Sequence, residues 1–592
     1  MASQRLSSLA NQLRSPAGEN NPSPHPTSNY RVTESPLGSS RHVRIIGIGA
    51  GMSGINMIRT LRLHLKNYDH VVYEKNPEIG GTWYENRYPG CKCDVPSHNY
   101  QFSWRPNPRW SSFFPSAPEI EAYLCQVCEE ERMRPVLKLR HQVERAEWNE
   151  SKGTWHLKVR NLDEGTVLDD ECHFLLDSCG ILNNWKWPAI VGLHDYQGDL
   201  VHSANWPENF SFANKTVALI GNGSSGVQIL PELQKGELLS DPKSSQVVHF
   251  IREPTWIVPS RLQLLAQGGG GGILNEIEMS DNESFPPSQI QRFEEDPAFY
   301  RKFVKAVEEV VNGNFPLTLK DTEFALLMQQ KAREYMSEAL QGDKRLCDAT
   351  IPDFPLGCRR LTPGVGYLEA LKQPNVRVVL DSITKIVGDG LETTTGELIK
   401  ADAIICATGF DVSFTPRFPI IGPKGNLQEI WSRQIPRAYM SCAIPDFPNY
   451  FTFLGPNAPI GHGSVFTITE HVAKYLTRII RKCQTENIKA IAPSQAAVDN
   501  FFEHTQTFMP RTAWSGNCIS WFKSGTIDGP VTALHAGSRI HFFHMLEGFR
   551  GEDWTYTYLN SRNRFQYLGN GFSTKEQGEG DPTWYLDEPD QL

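Results

Sequence analysis

A chain of 592 residues can bury a large core and carry more than one domain. Hydrophobic residues make up 39% and charged residues 21%, the balance of an ordinary globular enzyme and not of a fibrous or disordered chain. The formal net charge of −9, with no basic block, argues against nucleic acid or an anionic membrane as the main partner.

The segment Met1 to Ala10 lacks the apolar core of a signal peptide, and no apolar run reaches the length of a membrane span. These features point to a cytoplasmic enzyme. Residues 1 to 40 are rich in Ser, Pro and Asn and are predicted to be disordered.

His42 to Gly49 reads as a buried parallel strand entering the glycine turn Gly49-Ala-Gly51-Met-Ser-Gly54. A helix is expected from Ser53 to Lys66, then a strand over His70 to Glu74, completing a βαβ unit. Glycine is required in such a turn because a side chain would keep a pyrophosphate from the backbone and the helix N-terminus. Glu74 follows Gly49 by 25 positions, close to the spacing of an acid that accepts from a ribose hydroxyl.

Helical periodicity runs from Glu119 to Met133 and contains Cys125-Gln-Val-Cys128. With no second pair nearby, these cysteines read as small core residues and not as a zinc or redox pair. The chain's 12 cysteines are scattered and form no disulfide framework. Strand-like stretches follow between Val136 and Val159 and from Phe174 to Cys179.

Lys215 to Gly221 starts the pattern again, with the turn Gly221-Asn-Gly223-Ser-Ser-Gly226 and a second strand over Gln246 to Ile251. That strand ends in Arg252 and Glu253 instead of a lone acid. A cation there suits an extra phosphate, and the neighbouring carboxylate opposes it. The glycine run Gly268 to Gly272 is expected to be a flexible loop. Periodicity is helical from Ser288 to Leu340, and strand-like again at Val376 to Leu380 and Ala401 to Phe410. The pattern implies an α/β fold of two doubly wound dinucleotide-binding domains, the second inserted into the first. The expected bounds are 41–195 and 401–592 for the first domain, and 196–400 for the second, with a helical insertion at about 262–345.

The segment Gly80-Gly81-Thr82-Trp83-Tyr84-Glu85-Asn86-Arg87-Tyr88-Pro89-Gly90-Cys91-Lys92-Cys93-Asp94 and the bridging run Tyr196-Gln-Gly198-Asp-Leu-Val-His202-Ser-Ala-Asn-Trp206-Pro207 resemble the signatures of the Baeyer–Villiger monooxygenases. Tyr196 stands where that family usually has Phe. The resemblance runs from Arg41 to Asn570, and the text around Asn563 to Phe572 looks like the branch found in fungal secondary metabolism.

The resemblance implies FAD in the first domain and NADPH in the second, with O2 and a ketone as substrates. It implies an ester or lactone product, formed through a flavin C4a-peroxide. It implies flavin contacts from Gly49, Gly51, Gly54, Glu74, Thr82, Trp83, Tyr84, Glu85, Asp94 and Tyr100, and an adenine contact at Val143. NADP contacts fall on Lys92, Cys93, Asp94, Asn222, Gly223, Ser224, Ser225, Gly226, Val227, Gln228, Arg252, Glu253 and Arg359. The family commonly has Thr in place of Glu253 and Lys in place of Arg359. Arg360, held by Asp94, would be the catalytic arginine, and Trp521 would sit on a mobile loop that closes over NADP. No metal and no obligate protein partner is expected.

His202 tempts one to see a general base, but its place in a connector favours a structural role. A flavin-dependent oxygenase acting on nitrogen or sulfur shares both glycine turns. Asp94 and Arg360 favour attack on a carbonyl instead. A disulfide oxidoreductase would want a close cysteine pair at the flavin, and a non-catalytic nucleotide scaffold would have no use for the acid–arginine pair.

Overall fold

Val43, Ile45, Ile46 and Ile48 are all buried, so their strand has no solvent face. Such a strand needs neighbours on both edges and helices on its faces. In the computed structural model, which describes residues 30–235, 246–259, 271–280, 282–578 and 580–586, strand Val43–Ile48 is the centre of a parallel five-stranded sheet. The strand order is Tyr450–Thr452, Phe174–Asp177, Val43–Ile48, Tyr68–Tyr73, Leu137–Lys138. Helix Met52–His64 follows the central strand and packs against the long helix Val465–Thr485.

A second parallel sheet has the order Val376–Val379, Gln246–Phe250, Thr216–Ile220, Ala403–Cys406, Asp199–His202. The boundary expected between residues 400 and 401 is therefore displaced. Ala403, Ile404, Ile405 and Cys406 are fully buried, and the strand they form lies between Thr216–Ile220 and Asp199–His202 in the second sheet. The bridging signature is tied to the same place. The Tyr196 hydroxyl donates to the Ala401 carbonyl at 2.7 Å, a bond that Phe would lack. A Cβ on Gly198 would lie 2.5 Å from that hydroxyl oxygen, so the ring's neighbour has to be glycine.

A third sheet, Gly425–Asn426, Ile420–Gly422, His141–Asn149, Thr154–Asn161, Val167–Cys172, flanks the first. Between the second sheet's strands come helices Pro287–Glu295, Pro297–Gly313, Glu323–Ala339 and Lys344–Thr350. In Pro297–Gly313 the buried set is Phe299, Tyr300, Phe303, Ala306, Val307 and Val311, the three-and-four spacing of an amphipathic helix. Each such large apolar side chain contributes roughly 1.5–3 kcal/mol on burial. Of the glycine run expected to loop, Gly268, Gly269 and Gly270 lie outside the described residues. Gly271 and Gly272 open the short helix Gly271–Leu274.

The described residues divide into two compact units, one drawn from 40–558 and the other from 30–39 with 559–586. The sheets above belong to the first unit. In the second unit, Pro36 bridges Gly569 and Leu37 bridges Ser573. Gly569 has φ +67°, and a Cβ there would lie 1.8 Å from the Ser35 carbonyl oxygen, which explains the glycine in the C-terminal text. Of the segment expected to be disordered, residues 1–29 lie outside the described residues, whereas Pro36 and Leu37 are held by this pairing. Among the described residues no helix is long and apolar enough to cross a membrane.

Candidate functional site

The two glycine turns open on one cleft of about 1980 Å³. Ordinary ligand pockets span roughly 300–1,000 Å³, so this cleft has room for more than one ligand. At the first turn Gly49 has φ +98°, and a Cβ there would lie 2.8 Å from the Ser178 carbonyl oxygen. Helix Met52–His64 begins at Gly51 with no side chain capping it, so its first backbone N–H groups are left for a ligand. At the second turn Gly221 has φ +103°, and a Cβ would lie 2.6 Å from the Ala407 carbonyl oxygen. Gly223 has open space where its Cβ would stand, at the start of helix Ser224–Lys235. Both turns meet the steric demand of a pyrophosphate.

Glu74, buried at the end of strand Tyr68–Tyr73, accepts from the Ala50 and Asn76 backbone N–H groups at 2.8 Å each. Burial pushes its carboxyl up, and the two hydrogen bonds pull in the other direction without cancelling it. The short helix Thr82–Glu85 follows Gly81, whose φ is +57°. Trp83 donates its indole N–H to the Tyr100 hydroxyl at 3.2 Å, edge to face. Glu85 is paired with Lys75 at 2.7 Å.

The decisive contact spans 266 residues. The Arg360 guanidinium forks onto both carboxylate oxygens of Asp94, with its Nη2 at 2.7 Å from Oδ1. A third donor, Nη1, reaches the Ile460 carbonyl at 3.3 Å. Burial works against the charge, but Asp94's field and hydrogen bonds outweigh it, and the pKa is raised above the ordinary arginine value. Of Arg360's side-chain surface 32% remains exposed, and the residue lines the cleft. Next to it Arg359 pairs with Glu253 and donates to the Ile519 carbonyl at 2.8 Å and to the Pro254 carbonyl at 3.1 Å. Glu253 is thus neutralised by a neighbour, and Arg252 beside it is exposed.

Of the residues singled out in the sequence, Gly49, Gly51, Glu74, Thr82, Trp83, Glu85, Lys92, Cys93, Asp94, Tyr100, Val143, Asn222, Gly223, Ser224, Ser225, Gln228, Arg252, Glu253, Arg359, Arg360 and Trp521 line the cleft. Four others do not line it. Tyr84 turns its ring to the Arg87 guanidinium, 4.3 Å away. Val227 is core, packed beside Ile257. Gly54 and Gly226 let each helix approach its own turn: a Cβ would lie 2.1 Å from the Gly49 oxygen and 2.0 Å from the Gly221 oxygen. Gln228's amide is engaged by protein, donating to the Lys92 carbonyl at 3.0 Å and accepting from the Tyr88 hydroxyl at 2.9 Å.

Sequence reasoning missed the connector from Ile181 to Ile190, which lines the cleft. The closely spaced Trp185 and Trp187 were its available signal. Trp185 stacks on His202 at 4.6 Å and Trp187 meets it edge-on. His202 accepts from the Ala204 N–H at 3.1 Å and contacts the Thr408 hydroxyl at 3.2 Å, and burial lowers its pKa to about 4. It is a packed residue that does not line the cleft. His462 accepts from the Arg539 N–H at 3.3 Å and is absent from the cleft lining. Trp206 packs on Phe210. Cys125 and Cys128 are free thiols, both pushed up to about 11 by burial.

Residues 48–116 match the family model for an NAD(P)-binding Rossmann-like domain. The chain is 36% identical to the FAD-binding monooxygenase tazF of Aspergillus terreus, over 92% of this chain and 95% of that protein. The chain belongs to the FAD-binding monooxygenase family. A Baeyer–Villiger monooxygenase of Streptomyces coelicolor is a further relative of this monooxygenase, 32% identical over 85% of this chain and 90% of that one. The fold is also that of a closed cyclohexanone monooxygenase structure, with TM-score 0.71 and 23% identity over 88% of this chain and 100% of that one.

Proposed function

We propose that this monooxygenase inserts one oxygen atom of O2 next to a ketone carbonyl, giving an ester or lactone, with FAD at the first turn and NADPH at the second. The observation that carries this reading is the Arg360–Asp94 fork, held inside the cleft that both turns share. Bound FAD supplies the redox chemistry, taking two electrons from NADPH and delivering one atom of O2 while the other leaves as water.

The chain's own residues supply position and charge. The uncapped start of helix Met52–His64 would hold the FAD pyrophosphate, and Glu74 would accept from its ribose. Gly223 and the start of helix Ser224–Lys235 would hold the NADPH pyrophosphate. Arg252 would meet the 2′-phosphate, with the charge of Glu253 already taken up by Arg359. Arg360 stays charged at every working pH and offers donors to the negative charge that builds on the substrate's carbonyl oxygen. Asp94 acts through Arg360: its fork fixes the plane of the guanidinium, so no reorganisation is needed when that charge develops. Trp521 lines the cleft and would help to exclude water. A cleft of this size and the fungal relative support a bulky ketone of secondary metabolism as substrate.

The test is conversion of a ketone and of a thioether by purified enzyme under isotopically labelled O2, read by mass spectrometry. One labelled oxygen in an ester supports the reading, whereas a sulfoxide with no ester supports oxygenation of heteroatoms. Arg360→Ala should still oxidise NADPH but lose ester formation by more than about 100-fold, the equivalent of ~3 kcal/mol for a lost oxyanion donor. Ester formation near the wild-type rate would remove Arg360 from the chemistry.

A further inference from the structure

Two of the 12 cysteines are joined. Cys358 and Cys518, separated by 160 residues, form a disulfide, and the other 10 are free thiols. The bond occupies a particular place. Cys358 directly precedes Arg359 and Arg360, and Cys518 directly precedes Ile519, Ser520 and Trp521, three residues that line the cleft. The loop is closed on itself by Lys523, whose buried ammonium donates to the Gly516 carbonyl at 2.5 Å and the Ile527 carbonyl at 2.6 Å. These two bonds tie Gly516 and Ile527 to one side chain, so the segment between them has a fixed shape. Its ties to the arginine pair are the disulfide and the hydrogen bond from Arg359 to the Ile519 carbonyl.

We infer that Cys358–Cys518 is a thiol–disulfide exchange site, reacting with small dithiols and their disulfides, and that its redox state sets whether the Trp521 loop can leave the cleft. In the exchange, a thiolate of the dithiol attacks one sulfur, the protein S–S bond breaks, and a mixed disulfide forms. The second thiol of the reagent resolves it. Two protons and two electrons end on Cys358 and Cys518, and the reagent leaves as its own disulfide. With the bond broken, the loop is held by hydrogen bonds, from Arg359 to the Ile519 carbonyl, from the Thr532 and Ala533 N–H groups to the Phe522 carbonyl and between the Ser524 and Thr532 hydroxyls, and by packing of Phe522, interactions that open more readily than a covalent crosslink.

Both sulfurs belong to buried residues, while Asn517 between Gly516 and Cys518 is exposed. Reagent therefore reaches the bond only when the 516–518 segment opens locally. Whatever holds the loop down should slow reduction. The consequence for turnover rests on the proposed function: a loop over the nicotinamide dinucleotide would delay its release while oxidised.

The experiment uses the purified holoenzyme, oxidised with the cyclic disulfide form of dithiothreitol or reduced with dithiothreitol. Alkylation after denaturation should label 10 cysteines in the oxidised form and all 12 after reduction, with the 358 and 518 peptides linked in a non-reducing digest. Amide hydrogen exchange over residues 519–525 should speed up about tenfold or more on reduction. The Cys518→Ser and Cys358→Ser enzymes should show the fast exchange with or without dithiothreitol. NADP+ release, followed by stopped flow, should quicken in parallel. Absence of the linked peptide, or exchange over 519–525 that ignores reduction, overturns the inference whatever the enzyme does to ketones. Exchange that responds while NADP+ release does not keeps the exchange site and instead removes the reading of this loop as the nucleotide's cover.

Discussion

The two glycine turns solve one steric problem in the same way and then part company over charge. At each, the first glycine has a positive φ and its back is against a carbonyl, of Ser178 or of Ala407, and the last lets the helix press onto the turn. The strand after each helix ends differently. The first ends in Glu74, buried, with both carboxylate oxygens held by backbone N–H groups. The second ends in Arg252, exposed, with the neighbouring carboxylate tied to Arg359. On the function proposed above, steric identity would mark each turn as a dinucleotide site, and the charge at the strand end would select which dinucleotide.

The comparison can be broken most forcefully at the last glycines. Gly54→Ala and Gly226→Ala each put a Cβ about 2 Å from a backbone oxygen that cannot swing aside. Overpacking of this kind costs about 1–3 kcal/mol, and here it falls on the helix end that would meet a pyrophosphate. Gly54→Ala should purify with much less yellow cofactor and a lower Tm. Gly226→Ala should keep its colour and lose NADPH affinity by more than about tenfold. A colourless Gly226→Ala enzyme that still binds NADPH would reverse the assignment of the two turns.

This division also explains what could be read from the chain. The turns were legible because a glycine that must be glycine recurs at fixed spacing after a buried strand. The membership of Ala403–Cys406 was not, since an apolar strand of four residues carries no mark of which sheet it joins, and only pairing with Thr216–Ile220 decides it. The Arg360–Asp94 fork spans 266 residues. No spacing rule reaches that far, and the pair came from the resemblance of its flanking motifs. The same distance problem hid Glu253's partner. A carboxylate beside a phosphate-binding arginine reads as a liability until the fold brings Arg359 onto it. The Cys358–Cys518 bond was invisible for the same reason, as scattered cysteines announce no pairing.

Glu74 offers a finer test because its charge is costly to the fold. Its pKa is raised by burial. Between the ordinary carboxyl value of about 4.3 and the raised folded value, the native state binds more protons than the unfolded state, so this group's contribution to stability rises as pH falls. Glu74→Gln should flatten that part of the pH–stability curve, measured as Tm at stepped pH, and should weaken FAD retention severalfold at neutral pH. If the slope is the same in both proteins, Glu74 is not the group responsible. If FAD is retained equally well, the buried acid is a strut for the Ala50 turn and not a ribose acceptor.

The smallest effect is expected at Arg252. Its guanidinium is exposed, so a contact with a 2′-phosphate would be screened by salt and contribute on the order of 1 kcal/mol. Arg252→Gln should therefore raise KM for NADPH about fivefold, leave kcat and the KM for NADH nearly unchanged, and lose its penalty as ionic strength rises. The Arg359–Glu253 pair supplies the control. Glu253→Gln frees Arg359 from its partner and removes a negative charge from the same rim, so NADPH should bind more tightly than to wild type while NADH does not change. If both substitutions weaken both dinucleotides alike, the rim is shaping the turn and not reading the phosphate, and the charge difference between the two strand ends loses its meaning.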